Sequence, residues 1–115
     1  MRRTMPLLVL LLGALGCTRT PHDDAAKRGR DHMQYYGCVS CHTIPGVPGA
    51  HATVGPPLDR IGIQTYIAGT LPNTPEHLSL WIQHPQQIHP GTAMPELGVT
   101  PKDADDMARY LGELH

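Results

Sequence analysis

Residues 38–42 read Cys38-Val39-Ser40-Cys41-His42, and the remainder of the chain is organised around them. Two thiols separated by two residues can both reach one edge of a flat macrocycle. There they add across two vinyl groups and bond the ring to the chain. The histidine beside the second thiol then lies under the ring, placed to give an imidazole nitrogen to a central iron. C-x-x-C-H is the attachment signature of a c-type haem. Other readings fit less. A zinc site wants a second Cys/His pair at finger spacing, and no cysteine follows Cys41. A thioredoxin-like pair wants a βαβ setting, and none is legible here. The expectation is one covalent haem c on Cys38 and Cys41, with His42 as an axial ligand to its iron.

The composition agrees with a buried cofactor. At 115 residues the chain is long enough for one small domain with a modest core. That core is short of bulk, with no Phe, one Trp and four Tyr. A porphyrin would supply the missing apolar volume, so the haem-free chain is expected to be largely unfolded. Twelve Gly and twelve Pro imply much loop and few long elements, as suits a chain wrapped around a flat ring.

Residues 1–16 read as a secretory signal. Arg2 and Arg3 precede an apolar run from Leu7 to Leu15 that is far too short to span a bilayer. Two readings of its end stand. Leu15-Gly16-Cys17 resembles a lipobox, in which Cys17 is lipidated and becomes the first mature residue. Ala14 and Gly16 also fit ordinary signal-peptidase cleavage. The unpaired cysteine and the polar tether after it favour the lipid, and with several acyl chains the protein would stay on a membrane surface. Expected boundaries are therefore 1–16 signal, 17–23 tether and 24–115 the functional domain. The expected location is the periplasm or the outer face of the cytoplasmic membrane. Without residues 1–16 the chain has seven basic and ten acidic side chains. A mildly acidic protein of this kind is not a nucleic-acid binder, and a charge-steered partner would offer a basic patch.

Along the domain, a helix is expected from a cap near Asp23 or Asp24. Ala26, Gly29, Met33 and Tyr36 form its buried stripe, and Gly37 ends it. Residues 43–58 carry too many Pro and Gly for a regular element. Residues 59–68 fit either a short helix or extended chain, and 69–73 fit a turn. Thr74 and Pro75 open a second helix with Leu78, Trp81 and Ile82 inward. Pro85 is expected to stop it, leaving 86–95 as loop. Thr100 and Pro101 open the last helix. Its inner face is Met107, Tyr110, Leu111 and Leu114, and its outer face Asp105, Asp106, Arg109 and Glu113. Gly29 and Met33 are expected to cross this helix at Tyr110 and Leu111.

These residues together resemble class I cytochromes c, and most closely the small cytochrome c domain fused to subunit II of some bacterial haem–copper (caa3-type) oxidases. The resemblance rests on Gly37 to Ile44, on Val54-Gly55-Pro56-Pro57-Leu58, and on the run from Ala68 to Leu78 with Trp81-Ile82. It extends through Pro90-Gly91-Thr92-Ala93-Met94-Pro95 and the terminal helix to Leu111. It implies an all-α class I cytochrome c fold, with about three main helices and loops around one haem. With no copper-binding domain or transmembrane hairpin in the sequence, a free-standing carrier is expected rather than an oxidase subunit II. The 46–53 loop looks long against the family.

A six-coordinate iron needs a second axial ligand. Met33 and Met107 sit on helix stripes and read as core. Met94, between Gly91 and Pro95, is hard to justify as core, and the resemblance places the axial methionine there. A thioether ligand raises the potential relative to a second histidine. The rivals are His51, His84 and His89, with His84 and His89 read as solvated surface residues. The resemblance further implies that the carbonyl of Pro56 accepts the Nδ1–H of His42 and that Leu58 packs on the haem face. Trp81 packs near the haem, either with its N–H toward a propionate or simply as core.

The expected function is single-electron transfer in a bacterial respiratory chain, not enzymatic catalysis of a small-molecule substrate. The partners would be a quinol-oxidising complex upstream and a haem–copper oxidase downstream. Alternatives are a haem subunit of a larger oxidase or dehydrogenase complex, or a gas-binding or peroxidatic haem protein if Met94 is not a ligand. A cysteine-based redox or metal-delivery role without haem would leave His42 and the Met94 loop unexplained.

Overall fold

The computed structural model of the chain describes residues 21–115. The expected signal, Cys17 and most of the tether lie outside these residues. Four helices carry the fold: α1 (Pro21–Tyr35), α2 (Pro75–Gln83), α3 (Pro85–Ile88) and α4 (Pro101–Gly112). A minimal antiparallel hairpin, β1 (Tyr66–Ile67) and β2 (Leu71–Pro72), pairs Tyr66 with Pro72 and Ile67 with Leu71. Single 3-10 turns occupy Cys38–Ser40 and Ile61–Ile63. No helix among the described residues is long and apolar enough to cross a membrane.

Helix α1 is described over Pro21–Tyr35, so positions 23 and 24 lie within the helix rather than at a cap. The stripe is as expected: Ala26, Gly29 and Met33 are buried and Tyr36 half-buried. Gly37, at φ 81°, takes the left-handed conformation that ends the helix and turns the chain into Cys38.

Helices α2 and α4 start as their sequences dictate. Thr74 Oγ1 accepts from the His77 N–H at 3.1 Å, and Thr100 Oγ1 from the Asp103 N–H at 3.2 Å. Each helix has proline at its first position. Pro85 does end α2, but it also opens α3, so 86–88 are helical rather than loop. The same residue serves both because a proline terminates one helix and is tolerated at the first turn of the next. The region 69–73 is more than a turn. Ala68 (φ 50°) and Gly69 (φ 74°) are both left-handed, and the Thr70 N–H donates to the Ile67 carbonyl at 3.1 Å. That is the tight turn that joins two strands with the correct twist.

The core is the α1–α4 crossing, continued by α2 and the 44–50 loop. Met33, Ile44, Val47, Ile67, Leu78, Ile82, Ala104, Met107 and Leu111 meet there. The crossing point is nearer the start of α4 than the sequence implies. A Cβ on Gly29 would overlap the Asp106 carbonyl and lie 2.7 Å from the Met107 nitrogen. So α1 touches α4 at Asp106 and Met107, and Tyr110 instead reaches the 45–46 loop, donating to the Pro45 carbonyl.

Asp106 is also not on the outer face. It is 4% exposed because it takes two cations. Arg28 Nε donates to Oδ2 at 2.8 Å and Nη2 to Oδ1 at 3.2 Å, while Lys102 Nζ lies 3.0 Å from Oδ2. Burial alone would raise its pKa. The bonds from Arg28 and Lys102, with their charges, outweigh that and hold the carboxyl below the usual range. Beside it, Asp103 accepts from Tyr36 Oη at 2.7 Å and faces His32 Nε2 at 3.2 Å.

Candidate haem site

Residues 38–42 fold as one tight loop at the end of α1. The His42 N–H donates to the Cys38 carbonyl at 3.0 Å and the Cys41 N–H to the same oxygen at 3.2 Å. This turns both cysteines and the imidazole toward one cavity of about 410 Å3. Both cysteines are half-buried and not bonded to each other, and before haem attachment burial would push the Cys38 thiol up.

Residues 43–58 fold back over the motif. The Gly55 N–H donates to the Cys41 carbonyl at 2.7 Å and the Leu58 N–H to the Thr43 carbonyl at 2.9 Å. An isolated bridge joins Thr43 to His51, and Thr43 Oγ1 donates to the Ala52 carbonyl at 3.0 Å. This clasp sets Pro56 beside His42, whose Nδ1 lies 2.7 Å from the Pro56 oxygen. With Nδ1 donating there, Nε2 is left as the free lone pair, the tautomer a metal ligand needs.

Gly55 shows how closely the imidazole is held. A Cβ at that position would stand 2.5 Å from His42 Cε1 and 2.8 Å from Nδ1. The backbone lies flat against the ring, and only glycine allows it.

The rest of the lining comes from residues 57–64, β1, α2 and the 89–97 loop. Leu58, Ile61, Ile67, Leu78, Trp81 and Ile82 supply apolar surface, and Met94 enters from the loop before α4. Met94 and Trp81 are half-buried. Met33 and Met107, by contrast, are each 1% exposed in the α1–α4 core, away from this lining. His89 lines the cavity as well, although the residue is largely exposed. His84 faces Glu96 at 3.9 Å, and His51 belongs to the shallow dish formed by 43–51.

Two residues that sequence reasoning passed over shape this cavity. Asn73 Nδ2 donates to the carbonyls of Ile61 and Gln64 at 2.7 and 2.8 Å, tying the 61–67 wall to the start of α2. Gln86 does the same for the Met94 loop. An amide at a turn is a hint, but its partners are backbone carbonyls and carry no sequence signal.

The cavity fits a haem. Its wall is apolar, two thiols and an imidazole converge on one side, and a thioether enters from another loop. The two thiols are the groups that would hold the ring covalently.

The family model for cytochrome c matches residues 26–115. The chain is 32% identical over 95 residues to a cytochrome c oxidase subunit 2 of Alkalihalophilus pseudofirmus, covering 82% of this chain and 27% of that one. It is also 32% identical over 96 residues to a cytochrome c oxidase subunit 2 of Bacillus subtilis, covering 82% and 26%. The chain thus spans about a quarter of the length of these curated relatives. The helices around one crevice are those of the class I fold, and the chain belongs to the cytochrome c family, as an electron-transfer protein carrying covalent haem c and similar to the cytochrome c domain of oxidase subunit 2.

Proposed function

We propose that the protein is a mono-haem electron carrier in a bacterial respiratory chain, with His42 and Met94 as the axial ligands and Cys38 and Cys41 as the haem attachment points. The observation that carries this reading is that all four side chains line one apolar cavity. The bound haem supplies one-electron Fe(III)/Fe(II) cycling. The chain's own residues do the rest. Pro56 fixes the His42 ring, Gly55 holds its plane, and Leu58, Leu78, Trp81 and Ile82 keep water from the ring. A neutral thioether opposite the imidazole favours the ferrous state and a positive potential. Such a carrier makes and breaks no substrate bonds.

The likeness to oxidase subunit 2 supports a haem–copper oxidase as the electron acceptor, with a quinol-oxidising complex as donor. Whether the protein diffuses freely or sits within such a complex is decided by co-purification from detergent-solubilised membranes. Export and lipidation at Cys17 are part of the same reading. Cys17→Ser is expected to release the protein from the membrane fraction, and an unaltered distribution overturns the anchor.

The test of the ligand set is an optical spectrum of the holoprotein, ferric and ferrous, with and without carbon monoxide. Low-spin bands, a ferric sulfur–iron charge-transfer band and no response to carbon monoxide are expected. High-spin iron or ready carbon monoxide binding would overturn Met94 ligation and favour gas binding or peroxidatic chemistry.

A further inference from the structure

Met94 reaches the crevice from residues 89–100, which contain no helix or strand. One side chain organises that loop. Gln86 Nε2 donates to the Thr92 carbonyl at 2.7 Å and to the Met94 carbonyl at 2.8 Å. Its Oε1 accepts from the Gly91 N–H at 3.3 Å, and its own backbone N–H donates to Glu96 Oε1 at 3.0 Å. Both amide protons meet carbonyls and the amide oxygen meets an N–H, so the partners fix which way the amide points. Gln86 itself is anchored on α3, behind Pro85, which is buried.

The same loop begins with a second potential iron donor: His89 lines the cavity, and its backbone N–H donates to the Pro85 carbonyl at 2.9 Å. A neutral thioether is a weaker partner for ferric iron than an imidazole. Which of the two occupies the sixth position then depends on how firmly the backbone at 91–94 is held.

We propose that Gln86 is the positioning residue that holds Met94 at the sixth iron position and keeps imidazole ligands, His89 included, from replacing it. The proposal rests on the Met94 ligation argued above. It acts through the backbone: Gln86 touches neither the thioether nor the iron position, and being unable to ionise, it grips the loop equally at every pH.

The probe is free imidazole, titrated into the ferric holoprotein while the sulfur–iron charge-transfer band is followed. An incoming imidazole binds only when Met94 lets go, so its apparent affinity reads the ligand-off population. Gln86→Ala removes both donor bonds and the longer bond accepted from Gly91, and is expected to raise that affinity about thirtyfold or more, thirtyfold being the factor carried by two ordinary hydrogen bonds. Gln86→Glu keeps the size of the side chain but loses both N–H donors, and is expected to do the same. If the band is already lost in these variants and returns on adding His89→Ala, the proposal also stands. Gln34→Ala is the control. Its amide donates to the Pro48 carbonyl at 2.8 Å, a similar bond remote from Met94, and its removal is expected to leave imidazole affinity unchanged. Lowered melting temperatures with unchanged imidazole affinity in both Gln86 variants would overturn the proposal and make Gln86 a fold-stabilising residue only. A wild-type protein with no charge-transfer band would instead overturn Met94 ligation itself, a separate failure seen before any variant is compared.

Discussion

Where α1 crosses α4, backbone meets backbone; around the crevice, side-chain amides and imidazoles reach out to loop carbonyls. The crossing is a close approach of two helices, with Gly29 against Asp106 and Met107 and one buried carboxylate holding two cations beside it. The crevice is a set of loops fastened at single points: His42 to Pro56, Asn73 to Ile61 and Gln64, His77 Nδ1 to Pro72 at 2.8 Å, and Gln86 to Thr92 and Met94. A helix pair can form from its own side chains. A ring of loops around an apolar space needs something in that space.

The sharpest test of this difference is to deprive the crevice of its filling. In Cys38→Ala/Cys41→Ala the haem is no longer covalently held. The ring would cover the apolar wall of Leu58, Ile61, Ile67, Leu78, Trp81 and Ile82, and a small domain is held by only about 5–15 kcal/mol in all. Loss of a cooperative thermal transition is expected by circular dichroism. A sharp transition in the haem-free chain would mean that the crevice supports itself.

Gly29→Leu attacks the other region. Its side chain would be driven into the α4 backbone, and destabilisation of about 3 kcal/mol or more is expected in urea. The haem spectrum of the folded fraction should not change. An unchanged melting temperature would refute the close crossing.

Gly55→Ala is expected to lie between the two. Displacing the His42 ring by a methyl group should cost about 2 kcal/mol and, unlike Gly29→Leu, alter the ligand-field bands. Destabilisation without a spectral change would show that Gly55 matters to the loop and not to the ligand.

The smallest effect concerns Asp106. Asp106→Asn keeps the shape of the side chain but loses its charge-assisted bonds, for an expected loss of about 1–2 kcal/mol at pH 7. The folded carboxyl titrates below its ordinary range. Its stabilisation is therefore complete above the unfolded pKa, about 4, and disappears as pH falls through the folded value. Wild type and variant should converge in acid, and a gap that persists there would mean the effect is not electrostatic.

The same division governs what could be read from the sequence. The buried stripes of α1 and α4, the Thr74 and Thr100 caps and the C-x-x-C-H loop are local patterns, so they are legible residue by residue. Asp106 reads as an outer-face residue because a carboxylate is polar; its burial follows from Arg28, 78 positions away. The sequence puts the α1–α4 contact about one turn too late because a glycine marks a close approach without naming the partner. Helix α3 reads as loop because Pro85 carries both a stop and a start signal. Met94 stood out as an odd methionine, but nothing in the sequence says that Gln86 holds its loop.

The joint between α1 and α4 also ties the first described element of the domain to the last. Closing a loop of this span is slow relative to local helix formation, since distant contacts must be brought together before they reward the search. It cannot happen at all until α4 has been synthesised. Until α4 packs, α1 and the Cys38–Cys41 loop at its end lack their main partner, so the twelve-residue helix acts as the latch of the domain.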